Sequence, residues 1–458
     1  MDKNSTVCAI SSPAGVGAIA IIRITGKDSF KIAAGILNTE NPFPKIKRAT
    51  VNYAQIKDVS DNIIDTVLFT KFFAPKSFTG EDMIEIYCHG SEYIQKSIIE
   101  IICDNGAEIA QPGEFTKRAF LNGKIDLSQS EAVADIISSN SMESHRLAMN
   151  QIKGKVSDEI NALRDKLLEL VSLMELELDF SEEDIEFADR KEINNLIKKL
   201  SSKIEMLIDS FKYGNAVKSG VPVVIAGKPN VGKSSLLNIL LQEEKAIVSE
   251  IPGTTRDAIE DEITIEGIRF RFTDTAGIRE SGDEIESIGI KKTYEKLSKA
   301  LIILLMTEAG DNESTKEKNL NFLQSKISKE QKIIIVVNKI DKVKNKNFKP
   351  EINNYPQIGI SATQYINIDE LKKILVSTVK SLKSENQEII ITGVRHEQAL
   401  KKCKESLIKA LKSLNNNLSG DFVSQDIREA VYYLGEITGK ITNEEVLGAI
   451  FERFCIGK

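Results

Sequence analysis

Eight consecutive residues, Gly227-Lys228-Pro229-Asn230-Val231-Gly232-Lys233-Ser234, constrain this chain more than any other segment. They match G-x-x-x-x-G-K-[ST], follow an apolar run at 221–226 that reads as a strand, and precede a helical pattern opening near Lys233. Glycines at both ends let backbone N–H groups approach phosphate oxygens, Lys233 brings a cation to the β- and γ-phosphates, and Ser234 can ligate Mg²⁺. The spacing predicts a strand–loop–helix unit that holds a nucleoside triphosphate through Asn230, Val231, Gly232, Lys233, Ser234 and Ser235.

Three companions follow in order. Asp274-Thr275-Ala276-Gly277 comes after a strand run at 269–273, placing a carboxylate near Mg²⁺ and a glycine amide near the γ-phosphate. Asn338-Lys339-Ile340-Asp341 ends the run at 333–337, where Asp341 can accept hydrogen bonds from the guanine imino and amino groups; adenine offers no matching donors. Ser361-Ala362 follows the run at 358–360 and would support the base through a backbone amide. The order resembles a small GTPase domain of the translation-factor-like class. Ile278 follows Gly277 where Ras-type chains carry a water-positioning Gln, so another group must orient the attacking water.

The GTPase pattern fills only about a third of 458 residues, and a prior of roughly 150 residues per domain suggests three domains. Before it, residues 7 to about 118 alternate short β-type runs with helical stretches, a small α/β domain. From about 127 to 218 the period becomes helical, with Ile160, Leu163, Leu167, Leu170 and Met174 on one stripe, and Ile193, Leu196, Leu200, Ile204 and Leu207 on another. Helical spacing returns after about residue 388 through Leu400, Leu407, Leu411 and Leu414. The expectation is α/β plus all-α: an N-terminal α/β domain at 1–118, a helical domain built from 119–217 and 381–458, and an inserted doubly wound GTPase domain at 218–380.

Composition narrows the class. Sixty-one Lys and Arg against 67 Asp and Glu give a net charge of −6, which argues against a protein that holds nucleic acid mainly by neutralising phosphates. The longest apolar runs, at 300–306 and 333–337, fall far short of a membrane span, and the N-terminus lacks a secretion signal, so a cytoplasmic chain without membrane contact is expected. Five widely spaced cysteines without a C-x-x-C pair read as reduced thiols. The acidic stretch 175–189 lacks calcium-loop spacing and reads as a solvated helix end.

Several further segments carry a resemblance over nearly the full length. They are Ser12-Pro13-Ala14-Gly15-Val16-Gly17 through Gly26, Phe78-Thr79-Gly80-Glu81-Asp82 with Glu85 and His89-Gly90, residues 112–124, Pro252-Gly253-Thr254-Thr255-Arg256-Asp257, and the terminal Phe454-Cys455-Ile456-Gly457-Lys458. With these the chain resembles the tRNA wobble-uridine modification GTPase family (MnmE/TrmE), departing from it at Ser91 and Thr25.

The resemblance implies a K⁺-activated GTPase that, with a flavin-dependent (FAD) partner, adds an aminomethyl or carboxymethylaminomethyl group to C5 of the wobble uridine of certain tRNAs. A 5,10-methylene- or 5-formyl-tetrahydrofolate would supply the carbon, bound in an N-terminal domain that also forms the homodimer. The partner, in a heterotetramer or larger complex, would carry most of the tRNA contact. Arg23, Glu85 and Lys124 match the folate positions, with Lys458 reaching in from the tail. Thr255 joins Ser234 on Mg²⁺. Asn230, Ser249, Ile251 and Thr254 match the K⁺ set, within a nucleotide loop that includes Glu250, Pro252 and Gly253. Glu286 matches the residue that orients water; spacing alone does not separate it from Glu280, Asp283 or Glu284. Cys455 is either a reactive thiol near the folate or a packed small residue, and His89 either a general acid/base or a structural turn residue. Two rivals remain at this point: a regulatory GTP switch in ribosome assembly without one-carbon chemistry, and a folate-dependent aminomethyltransferase whose GTPase domain is only structural.

Overall fold

The computed structural model describes residues 5–40, 42–179, 190–245, 261–274, 297–324, 327–328, 331–343, 351–352, 355–383, 387–416, 418–452, 454 and 457. The chain divides into two compact units. Met1–Ile137, Gln151–Ser172 and Ile427–Lys458 form the first; Ser138–Asn150 and Leu173–Asp426 form the second.

The first unit is built on strands β1 (Val7–Ile10), β2 (Gly17–Thr25), β3 (Val51–Lys57), β4 (Ile63–Phe72), β5 (Met83–Gly90) and β6 (Glu108–Ile109), in the spatial order β3-β4-β5-β2-β1-β6. Period-two alternation sends Ala20, Ile22 and Ile24 of β2 and Ile84, Ile86 and Cys88 of β5 to one face, under the helices Ser29–Ile36 and Glu92–Asp104. Ile22, Ile24, Ile84, Ile86, Ile98 and Ile102 have no exposed surface, and each such side chain contributes about 1.5–3 kcal/mol of hydrophobic burial. The alternate residues, Arg23 on β2 and Glu85 and Tyr87 on β5, occupy the other face, where Arg23 stands opposite Glu85 in the antiparallel register. The C-terminal helix Glu444–Phe451 packs Leu447 and Phe451 with Phe454 against Leu127.

The second unit holds strands β7 (Val221–Gly227), β8 (Asp261–Ile265), β9 (Ile268–Asp274), β10 (Ile302–Glu308), β11 (Lys332–Asn338), β12 (Glu351–Ile352) and β13 (Tyr355–Gly359), ordered β12-β13-β11-β10-β7-β9-β8. Pairings among β9, β7, β10, β11 and β13 are parallel; β8 and β12 are antiparallel edges. A parallel sheet is buried on both faces, which explains the near-continuous apolar runs. Ile302, Leu304 and Met306 of β10 enter one core with Leu236, Leu371 and Leu375, whereas Ile303 and Leu305 enter another with Leu320 and Leu323. The helices Arg190–Ser219 and Val394–Asn415 run antiparallel, tied by Asn194 Nδ2 to Asn415 Oδ1 and Lys404 to Glu205, both at 2.8 Å. Mixed α/β architecture with a helical component is therefore observed, as the sequence periods indicate.

Candidate functional site: a nucleotide cradle and a second polar site

In the sheet of the second unit the order reverses at β7, which has β9 on one side and β10 on the other. At such a switch point the loops leaving the carboxyl ends of neighbouring strands diverge and open a crevice. The loop after β7 adopts a phosphate-cradle geometry. Asn230 is left-handed (φ 62°), a conformation that its short amide tolerates, and Gly232 has φ 100°. A Cβ on Gly232 would stand 2.3 Å from Asn338 Nδ2, so only glycine fits there. The helix Lys233–Lys245 opens directly after it, aiming its first N–H groups at the loop. Lys233 is folded over the loop and donates to the carbonyls of Gly227 at 2.9 Å and Lys228 at 3.0 Å; Ser234 and Ser235 are exposed at the mouth.

The base-side residues converge on the same place. Asn338, 3% exposed at the end of β11, donates from Nδ2 to the Val231 carbonyl at 2.8 Å and accepts the Ala362 backbone N–H at 3.1 Å. One side chain thus links the phosphate loop to the loop after β13. Lys339 is left-handed (φ 65°) and donates to the Asn230 carbonyl at 2.8 Å, while also pairing with Glu308. Ser361 Oγ donates to Asp341 Oδ1 at 2.6 Å, which fixes the orientation of the carboxylate. Asp274 ends β9 in register with Ile225 of β7.

Sequence reasoning named each of these segments as candidates, but not Glu308. It lies opposite Asn338 at the matching end of β10, a position legible only once strand register is known. Ser249, Glu250, Ile251, Pro252, Gly253, Thr254, Thr255, Thr275, Ala276, Gly277 and Glu286 lie outside the described residues, as does most of the acidic stretch. Among the described residues no group of three or more His, Cys, Asp or Glu is arranged to hold a metal. Ser234, at the helix start, has the right chemistry for one hard-cation ligand, and the rest of that set falls on those undescribed positions.

The first unit contains a second polar site. Arg23 Nε donates to Glu85 Oε1 at 2.8 Å, and Tyr87 donates its hydroxyl proton to Glu85 Oε2 at 2.7 Å. Burial, then the bond to Glu85, pushes the Tyr87 phenol above its usual value. Sequence reading missed Tyr87, although its place two residues beyond Glu85 on a strand sets it on the same face. Phe78 places its ring 5.9 Å from the Arg23 guanidinium. Lys124 donates to the Pro75 carbonyl at 2.9 Å, and its stem lies against Gly80, so it borders the same loop that carries Phe78.

That loop is fixed from below. Glu81 accepts from Thr25 at 3.0 Å and from Arg118 at 3.2 Å, and Arg118 also pairs with Glu114 at 2.8 Å. Lys458 and Cys455 are outside the described residues, but Gly457 is docked on the end of β1. Its carbonyl accepts from Ser11 Oγ at 2.9 Å, and a Cβ there would meet the Ile10 carbonyl at 2.2 Å.

A family model described as the MnmE helical domain matches residues 127–455, and one described as the GTP-binding protein TrmE N-terminus matches residues 6–124. The tRNA modification GTPase MnmE of Cytophaga hutchinsonii is 46% identical over 458 residues, covering 100% of this chain and 98% of that protein. The proteins of the same name from Christiangramia forsetii and Flavobacterium psychrophilum are 45% and 47% identical, each match covering 100% of both chains. With identity of this extent from end to end, the chain belongs to the MnmE family of tRNA modification GTPases.

Proposed function

We propose that this protein hydrolyses GTP to GDP and phosphate and couples that cycle to modification of tRNA. The observation that carries the reading is Asn338, whose single amide joins the phosphate loop at Val231 to the base-side loop at Ala362, in a chain alike throughout its length to tRNA modification GTPases. In the finer reading, hydrolysis is K⁺-activated. Asn230, Ser249, Ile251 and Thr254 hold K⁺, Ser234 and Thr255 hold Mg²⁺, and Glu286 orients water. A positive ion at the phosphate loop would stabilise charge developing on the bridging oxygens.

In the first unit Arg23, Glu85, Lys124 and Lys458 take a 5,10-methylene- or 5-formyl-tetrahydrofolate. A carboxylate suits the amide-like edge of a pterin, and cations suit its glutamate tail. The docking of Gly457 on Ile10 and Ser11 supports a tail that delivers Lys458 to this domain. The protein acts as a homodimer with an FAD-dependent partner that carries most of the tRNA contact, in keeping with a net charge of −6. Carbon from the folate reaches C5 of the wobble uridine as the methylene of an aminomethyl or carboxymethylaminomethyl group, whose nitrogen comes from ammonium or from glycine, respectively.

The test combines two measurements on the purified dimer. GTP turnover is compared in K⁺ and Na⁺ at matched ionic strength, and transfer of labelled folate carbon to tRNA is followed with the flavoprotein present. Fast turnover only in K⁺, and label in tRNA that is lost in Arg23→Ala, are the expected results. Equal turnover in both salts would remove the ion assignment. Folate-independent modification would remove the one-carbon assignment and favour a GTP switch.

A further inference from the structure

Asp65 on β4 and His89 on β5 form a pair that the assignments above leave unused. Asp65 is 7% exposed, and three donors converge on its carboxylate. Oδ2 accepts the backbone N–H of His89 at 2.8 Å, while Oδ1 accepts the Thr66 N–H at 2.8 Å and lies 2.7 Å from His89 Nδ1. An ionised carboxylate only accepts, so Nδ1 carries a proton, and Nε2 is the ring nitrogen left free of that bond. The His89 side chain is 70% exposed. If burial of Asp65 required only hydrogen-bond satisfaction, the two backbone donors would meet much of that need. The ring bond adds what they do not, a fixed tautomer and orientation for Nε2.

Alternation along β5 sets Glu85, Tyr87 and His89 on one face, with Arg23 opposite Glu85 and Ile19 opposite His89. Four residues of strand separate Glu85 from His89 by about 13–14 Å. A ligand made of a pterin, an aminobenzoyl ring and a glutamate can bridge that length while touching Arg23–Glu85 at one end.

We propose that His89 is the proton-transfer residue of this sheet face and Asp65 its positioning residue. Nε2 takes a proton from an N–H or O–H of a reactant held on the Arg23–Glu85 face. The ring becomes an imidazolium whose charge the Asp65 carboxylate balances, and the same proton is returned to the nitrogen or oxygen that departs in the next step. No oxidant or added reactant is needed for the transfer. The inference rests on the folate reading.

His89→Asn tests it, because the shorter amide can still donate to Asp65 from the place of Nδ1 but has nothing at Nε2. With flavoprotein, GTP and labelled folate, the variant should lose about 100-fold or more in the rate of carbon transfer to tRNA while binding folate as wild type does, and added imidazole should restore part of the rate. A wild-type rate in His89→Asn overturns the inference, as does a loss that tracks folate affinity and ignores imidazole. A wild type that transfers no folate carbon sinks the functional reading instead, and with it the inference. Should the variant not fold, ¹⁵N-histidine spectra of the wild type decide: there are three histidines to assign, and an Nε2–H tautomer at His89 overturns the proposal.

Discussion

The Asn338 amide nitrogen donates to the Val231 carbonyl across 2.8 Å, joining residues 107 apart in sequence at the centre of the nucleotide cradle. The same Nδ2 occupies the space that any side chain at position 232 would need.

Asn338→Ala therefore removes two buried hydrogen bonds and leaves the Val231 carbonyl and Ala362 N–H unpaired. Each bond is worth about 1 kcal/mol and each stranded partner adds to that cost, so a loss of about 2–4 kcal/mol is expected. Denaturant unfolding of the GTPase unit reads the stability part. Fluorescent-GTP titration should show affinity falling by more than about tenfold, because both halves of the site lose their common strut. A variant with wild-type affinity would show that the two loops hold their positions independently.

Much of this was legible before any coordinates. The phosphate loop, the Asn338-to-Asp341 run and Ser361-Ala362 each stand at the end of an apolar strand run, and local periodicity reveals strand ends. The contacts that make them one site were not legible, because they depend on register between strands distant in sequence. Glu308 beside Lys339 is one case and Asp65 beneath His89 another. Arg23 and Glu85 were named from resemblance alone, and only the β2–β5 ladder brings them to 2.8 Å. Helical spacing predicted the stripes of Arg190–Ser219 and Val394–Asn415, yet not which compact unit takes each helix. An amphipathic stripe states that a face is buried and is silent about its partner.

Asp341 should set base specificity. Its carboxylate, steadied by Ser361 Oγ at 2.6 Å, can accept from two guanine N–H groups. In Asp341→Asn one acceptor becomes a donor facing a donor. Charge-assisted bonds of about 1.5–3 kcal/mol are lost, and GTP affinity should fall by about 100-fold or more. Xanthosine triphosphate carries a carbonyl where guanine carries the amino group, so it should gain on GTP as a ligand. Competition between the two nucleotides for the variant measures the reversal; unchanged preference would mean that Asp341 does not face the base.

Glu143 gives the second unit a defined acid sensitivity. Burial alone would raise its carboxyl, but the hydrogen bonds from Arg146 and from Tyr213 outweigh that and hold it below the ordinary value of 4.5. Tyr213 itself is 3% exposed and donates to Oε1 at 2.6 Å. A carboxyl whose folded value is depressed stays ionised while the unfolded chain takes up a proton, so its contribution is present above pH 4.5 and is lost as pH falls through the folded value. Denaturant midpoints measured from neutral pH downward should drop below about pH 4.5, and Glu143→Gln should flatten that slope relative to wild type. Tyr213→Phe, which removes one bond to Oε1 while Arg146 still donates to both carboxylate oxygens, should cost about 1 kcal/mol at neutral pH. An identical pH slope in wild type and Glu143→Gln would assign the acid response to other carboxylates.

Asn230 allows the proposed ion requirement to be separated from the loop's shape. Its backbone is left-handed, and its carbonyl already accepts from Lys339 at 2.8 Å, so the main chain is held without help from the side chain. Alanine there would combine the loss of the amide oxygen with about 1–2 kcal/mol of strain, and its effect on turnover would be ambiguous. Glycine takes the same φ freely and keeps the backbone carbonyl that accepts from Lys339, so the change removes the side-chain amide without that strain. Asn230→Gly should therefore bind GTP within a few-fold of wild type while the ratio of turnover in K⁺ to that in Na⁺ falls toward one. Stopped-flow nucleotide binding and steady-state phosphate release, each in the two salts, measure the two quantities separately. If the variant keeps the full K⁺ preference, the ion is not held by Asn230, and its ligands must come from other positions around the loop.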